Sequence, residues 1–178
     1  MNPLLWLMVP LAPLIAAILL LSMRHRLQRL TPWLALACLP AILFSLLPPD
    51  SFAPPWIWPG ANWSVDAVTR PWLMFTALLW GVAGFYAAYS QREDSHLLRF
   101  WVFWLVALAG NLLLIIAQDA LSFYVGFSMM SLSAYGLVVH SGKPLARRAG
   151  RLYLQLAILG EILLFTGMAL RAYYADGS

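Results

Sequence analysis

Long apolar stretches with very few internal charges restrict the fold of this chain more than any other feature. Each is about as long as the helix of roughly 20 residues that crosses the hydrocarbon core of a bilayer. They are apolar on all sides and longer than the alternating strands of membrane β-barrels. Because lipid offers the backbone no hydrogen-bond partners, we predict an all-α integral membrane protein, a single domain over residues 1–178. Its six predicted spans, numbered 1 to 6, are 3–22, 31–48, 71–89, 100–117, 120–139 and 152–172.

The basic residues predict the orientation of the spans. Of 11 Lys and Arg residues, all but Arg70 and Arg171 fall in the links after spans 1, 3 and 5. Cytoplasmic loops carry an excess of basic residues, so we predict that both termini lie on the periplasmic side. The same bias explains the net charge of +4, so we predict the lipid bilayer and no nucleic acid as a partner. The nine residues are Arg24, Arg26, Arg29, Arg92, Arg99, Lys143, Arg147, Arg148 and Arg151.

A loop rich in proline and tryptophan, residues 49–70, joins spans 2 and 3. Proline disfavours a regular helix or a central strand, and tryptophan favours the membrane–water interface. We predict that this periplasmic-side loop lies flat on the outer surface or against a neighbouring subunit.

Glu161 is the clearest candidate for a functional group inside the membrane. It lies near the middle of span 6, and its neighbours one helical turn away, Ala157 and Phe165, carry no charge. An ionisable side chain is costly in the membrane, so a partner must come from another helix or another chain. Two interpretations stay open, a proton-relay or coupling group and a hydrogen-bonded structural acid.

Span 5 carries hydroxyl groups on one helical face, at Ser128, Ser131 and Tyr135. This face indicates either tight helix packing or a hydroxyl-and-water wire that relays protons. Ser122 and Gly126 form a pair of small residues that allows close helix approach.

Other polar residues lie in or next to the spans. Asn111 in span 4 is predicted to hydrogen-bond across to span 5 or to line a hydrated cavity. Asp119 and Asp66 precede spans 5 and 3, where aspartate is a favoured helix cap. The only cysteine, Cys38, excludes an internal disulfide, and the three histidines fall at helix ends. We predict no metal site and no cofactor.

The segment Tyr124-Val125-Gly126-Phe127-Ser128, followed by Ser133-Ala134-Tyr135, resembles the fifth-helix signature of the antiporter-like membrane subunits of respiratory complex I. Multisubunit cation/proton antiporters and group 4 hydrogenases contain members of the same family. Phe127 stands where the family has tryptophan, and Ser128 stands where it has a buried, proton-carrying glutamate. Residues 65–69 resemble the acidic start of the family's third helix, residues 143–151 its basic link, and Gly160-Glu161 a glycine–acid step.

The resemblance implies a short form of the family that covers about its first six helices. The expected function is a small or split subunit of a multisubunit ion-translocating complex in the bacterial inner membrane, which contributes part of a proton or cation half-channel. Its expected partners are other multi-helix membrane subunits, and it is expected to be a non-catalytic subunit of a redox-driven or antiporter complex. The alternative is a non-conducting scaffold or assembly subunit. Glu161 favours conduction, whereas the lost carboxylate at Ser128 favours the scaffold.

Overall fold

The computed structural model describes residues 3–23, 25, 27–54 and 56–175, so Arg24 and Arg26 of the predicted basic set lie outside it. Within these ranges, five helices are long and apolar enough to cross a membrane, and this confirms an all-α membrane protein at that level. The helical elements are α1 (Pro3–Ser22), α2 (Leu27–Leu34), a 3₁₀ turn (Ala35–Cys38), α3 (Leu39–Ser45), α4 (Thr69–Ser90), α5 (Leu97–Ile116), α6 (Ala120–Val139) and α7 (Pro144–Ala175).

Predicted span 2 differs from the other five because no single α-helix covers it. The 3₁₀ turn Ala35–Cys38 separates α2 from α3. Pro40 lies in the first turn of α3 and has no N–H to donate to the carbonyl of Leu36. The N–H of Leu39 donates to that carbonyl instead, which tightens the helix locally.

The proline- and tryptophan-rich loop folds into a small hairpin. Strands β1 (Asp50–Phe52) and β2 (Trp63–Val65) pair antiparallel, with Phe52 opposite Trp63. The loop's prolines fall outside both strands, which therefore keep their backbone donors. Trp63 is buried and also forms an isolated bridge with Ala117, just beyond α5. The hairpin thus covers the chain's own α5–α6 link, where the backbone N–H of Gln118 donates to the carbonyl of Asn62 at 2.9 Å.

The core lies along α5, which packs against α1, α4 and α6. Trp101, Leu105, Leu108 and Leu112 of α5 are completely or almost completely buried. Among the described elements, α7 packs mainly against α6, and none of the residues in its most apolar stretch is buried. One helix therefore occupies the centre of the bundle, and another is covered along one side only.

Candidate functional site

Helices α5 and α6 meet through glycines in direct contact with backbone, Gly110 of α5 and Gly126 of α6. A Cβ atom at Gly126 would lie 2.7 Å from the backbone nitrogen of Leu114. A Cβ atom at Gly110 would lie 2.6 Å from the backbone nitrogen of Met130. Small residues let two membrane helices approach this closely, so the predicted role of Gly126 in helix packing is confirmed. Ser122, on the same face of α6 as Gly126, is completely buried.

Asp119 organises the end of the bundle where α5 passes into α6. Its carboxylate caps α6 by accepting hydrogen bonds from the backbone N–H of Ser122 (2.7 Å) and from the Ser122 hydroxyl (2.5 Å). It also accepts from the backbone N–H of Asn62 (2.9 Å) and from the indole N–H of Trp58 (3.3 Å). The indole N–H of Trp63 donates to Ser122 at 2.9 Å. The predicted cap is confirmed, and it also fastens the hairpin to the helices.

These contacts set the ionisation of Asp119. Burial is the largest influence and raises its pKa, but the donors from Asn62, Ser122 and Trp58 together lower the pKa below the ordinary value of 3.8. Asp66 performs the simpler version of this role at α4, where it accepts from the backbone N–H groups of Val68 and Thr69.

The opposite face of α6 meets α7 through larger side chains. The rings of Tyr124 and Phe165 lie 5.6 Å apart near one end of the interface. The Tyr153 hydroxyl donates to the backbone carbonyl of Ser131 at 3.3 Å farther along. Gly150 packs against Val139 and Tyr135 at the other end. The two helices therefore run antiparallel, with a register defined at three points.

This register places Ser128 opposite Glu161. Ser128 follows Tyr124 by one helical turn, and Glu161 precedes Phe165 by one turn, so both lie on the facing sides at the same height. The Ser128 Oγ atom and the Glu161 Oε1 atom are both buried, and neither has a hydrogen-bond partner within the described part of the chain. Buried polar atoms without a protein partner ordinarily hold water. The α6–α7 interface thus contains a hydroxyl and a carboxyl at the same level, each with a buried oxygen that has no partner among the described residues.

The other predicted site residues divide between the two faces of α6. Ser131 and Tyr135 share the α7 side with Ser128, as their spacing predicted. Asn111 lies on the α5 side, where its amide nitrogen donates to the Met130 sulfur at 3.0 Å. Its Oδ1 atom is buried without a partner among the described residues. Asn111 is therefore separated from Glu161 by the width of α6.

Tyr153 is a residue of this interface that sequence reasoning missed. It lies two helical turns before Glu161 on the same stripe of α7, and its hydroxyl reaches α6. The spacing of Tyr153, Ala157 and Glu161 was the available signal.

His140, at the C-terminal end of α6, joins the α6–α7 link to the α4–α5 link. Its Nε2 atom lies 3.3 Å from Asp94 in the α4–α5 link, and its Nδ1 atom contacts the backbone carbonyl of Leu137. The backbone N–H of His96 is the main cause that lowers the pKa of Asp94, burial opposes it, and the neighbouring His140 lowers it further. His96 at the start of α5 and His140 at the end of α6 thus lie at helix ends, as predicted.

Comparison with known proteins adds no family to this geometry. No protein-family model matches the chain, and no curated protein matches it. Within the described residues, no three His, Cys, Asp or Glu side chains form a group that could hold a metal ion.

Proposed function

We propose that this chain is a subunit of a multisubunit ion-translocating membrane complex, in which Ser128 and Glu161 form part of a proton path. One observation carries the proposal: Ser128 and Glu161 each have a buried oxygen without a partner among the described residues, and the Tyr124–Phe165 contact puts them at the same level of the α6–α7 interface. A water molecule bonded to both oxygens would join the hydroxyl to the carboxyl. Intramembrane carboxylates are costly and commonly mark proton pathways.

The chemistry assigns different tasks to the two side chains. Glu161 can take up and release a proton, whereas the Ser128 hydroxyl can only donate and accept hydrogen bonds. Tyr153 and Tyr135 add two more hydroxyl groups to the same interface, nearer to the α6–α7 link. One carboxyl with a few hydroxyls suits a proton better than a metal cation, which needs more oxygen ligands.

The surroundings favour a subunit that works with others. The apolar stretch of α7 has no buried residue, so one or more helices of other membrane subunits would cover part of it. We infer the antiporter-like family and the bacterial inner membrane from the local sequence resemblance. In the proposed complex this chain is a non-catalytic subunit.

We also propose six crossings with both termini on the periplasmic side. The continuous helical run of α2, the 3₁₀ turn and α3 extends for about 30 Å, enough to cross the hydrocarbon core. Trp6, near the start of α1, contacts Phe52 of the hairpin, and Arg171, near the end of α7, shares a cavity with Asp119. Seven of the described basic residues occupy the opposite end of the bundle, which basic loops would place in the cytoplasm.

The alternative is a scaffold that binds neighbouring subunits without conducting. Glu161 is the only acidic residue of the sequence within α1 and α4 to α7, and Ser128 cannot hold a charge. A single carboxyl at a subunit interface would also serve as a structural hydrogen-bonding group.

Glu161→Gln separates these functions, because the amide keeps the shape and hydrogen bonding but cannot ionise. We expect the intact complex, extracted in mild detergent and reconstituted in vesicles, to assemble normally and to lose most of its proton flux. Ser128→Ala should lower the flux less. Thr166→Val is a matched control, since Thr166 is exposed on α7 and bonds only the carbonyl of Ile162.

Unchanged flux in Glu161→Gln with normal assembly would favour the scaffold. Unchanged flux in Glu161→Gln together with abolished flux in Ser128→Ala would show that hydroxyl groups carry the path. Loss of the complex in Glu161→Gln would identify a structural acid.

A further inference from the structure

A basic cavity of about 590 Å³ opens between α5, α6 and α7, at the end of the bundle that contains the α6–α7 link. Arg99 of α5 and Arg147 and Arg151 of α7 line it, together with Tyr135 and Val139 of α6. Arg147 and Arg151 are one helical turn apart and therefore point to the same side of α7. Three guanidinium groups from two helices thus surround one space.

The charges of these arginines are not balanced within the described part of the chain. The only acidic residues of the sequence at this end are Glu93 and Asp94. Glu93 pairs with Arg92 at 3.4 Å, and Asp94 pairs with His140 at 3.3 Å. No acidic residue lines the cavity. The cavity is therefore suited to an anion.

The backbone adds to this preference. Gly142 and Pro144, at the start of α7, also line the cavity, so the positive end of the helix dipole lies beside it. Gly142 has φ +67°, which lets the α6–α7 link turn sharply just before the helix. Guanidinium groups and a helix N-terminus are both common partners of phosphate groups.

Exposed apolar side chains lie next to the cavity. A free anion would not need them, but a lipid with an anionic head group would. Ile158 and Ile162 follow Arg151 by two and three helical turns on the same side of α7, and they are 46% and 57% exposed. We propose that this cavity binds the phosphodiester head group of an anionic phospholipid, whose acyl chains lie along the exposed side of α7. Basic pockets between membrane helices recognise such head groups.

Native mass spectrometry of the full chain in detergent tests this site without reference to ion transport. The probes are phosphatidylglycerol and phosphatidylcholine with identical acyl chains. We expect phosphatidylglycerol to bind at least about tenfold more tightly, and Arg147→Gln with Arg151→Gln to weaken it about 25-fold. That estimate takes about fivefold for each arginine, from about 1 kcal/mol per basic residue near an anionic lipid.

Arg148→Gln is the matched control, because it removes the same charge from the same turn of α7 but does not line the cavity. It should change the affinity less than about twofold. If the double variant does not fold, Arg99→Gln leaves α7 unaltered and should by itself weaken binding about fivefold.

Three results would overturn the proposal. Equal loss of lipid in Arg148→Gln would show diffuse attraction to a basic surface. Displacement of phosphatidylglycerol by millimolar inorganic phosphate would show a site for free phosphate. Equal binding of the two lipids would show that the arginines do not recognise the head group.

Discussion

The two faces of α6 are built on opposite principles. Toward α5, glycines bring the backbones into contact, and Ser122 is hydrogen-bonded to its neighbours. Toward α7, larger side chains meet, and the oxygens of Ser128 and Glu161 are buried without partners. Both faces carry serine, so a hydroxyl alone does not mark a functional surface. The α7 side is distinguished by an ionisable group with an unpartnered oxygen, since the unpartnered oxygen on the α5 side is the neutral amide Oδ1 of Asn111.

The largest expected effect would come from separating α5 and α6. A Cβ atom at Gly126 would meet backbone atoms of α5 that cannot rotate away, so Gly126→Leu should cost about 3 kcal/mol or more. Thermal unfolding in detergent, followed by circular dichroism, measures the loss. Gly160→Ala is the control, because its Cβ atom would meet nothing within 4 Å, and we expect it to be neutral or slightly stabilising. Equal destabilisation by both changes would remove the distinction between the two faces.

The next effect concerns the cap that fastens the hairpin to the α5 side of the bundle. Asp119→Ala removes the acceptor for four hydrogen bonds and should cost about 2 kcal/mol in the free energy of unfolding. Asp66→Ala removes a cap that makes no contact with α6, so its cost should be smaller. A larger cost for Asp66→Ala would contradict the role of Asp119 as the organising group.

The smallest effect is a pH dependence of the same cap. Because the pKa of Asp119 is lowered in the folded state, its contribution to stability is complete above the ordinary carboxyl value of 3.8. It is lost as the pH falls through the lowered folded value. Tryptophan fluorescence should therefore report loosening around Trp58 and Trp63 in acid, and Asp119→Asn should lack this step. An identical acid transition in Asp119→Asn would assign the change to other groups.

The sequence predicted the long helices well and their interruptions poorly. The predicted spans 3–22 and 120–139 coincide with α1 and α6, because an apolar run in lipid has few alternatives to a helix. The 3₁₀ turn before Pro40 forms because the N–H of Leu39 replaces the N–H that proline lacks. The apolar pattern of the sequence does not reveal which donor makes this replacement. The hairpin depends on the burial of Trp63 against distant residues.

The candidate site was predictable as residues but not as an arrangement. Glu161 is conspicuous as a carboxyl in an apolar run, and Ser128 is conspicuous through the local resemblance. That they face each other depends on the register of α7 against α6, which the α6–α7 link and the packing of Gly150 determine. Asn111, which was predicted to hydrogen-bond across to span 5 or to line a hydrated cavity, lies on the other side of α6 because its position on α5 turns it toward Met130.

The length of α7 relates this chain to the thickness of the bilayer around it. Twenty residues separate Arg151 from Arg171, a distance of about 30 Å along a helix, which equals the usual hydrocarbon thickness. The two guanidinium groups can therefore reach opposite head-group layers from an untilted helix, while the turns before Arg151 project into water. Glu161 lies halfway between them, about 15 Å from either layer. A hydrophobic mismatch would tilt α7 or thin the lipid around it, and either change alters the depth of the carboxyl.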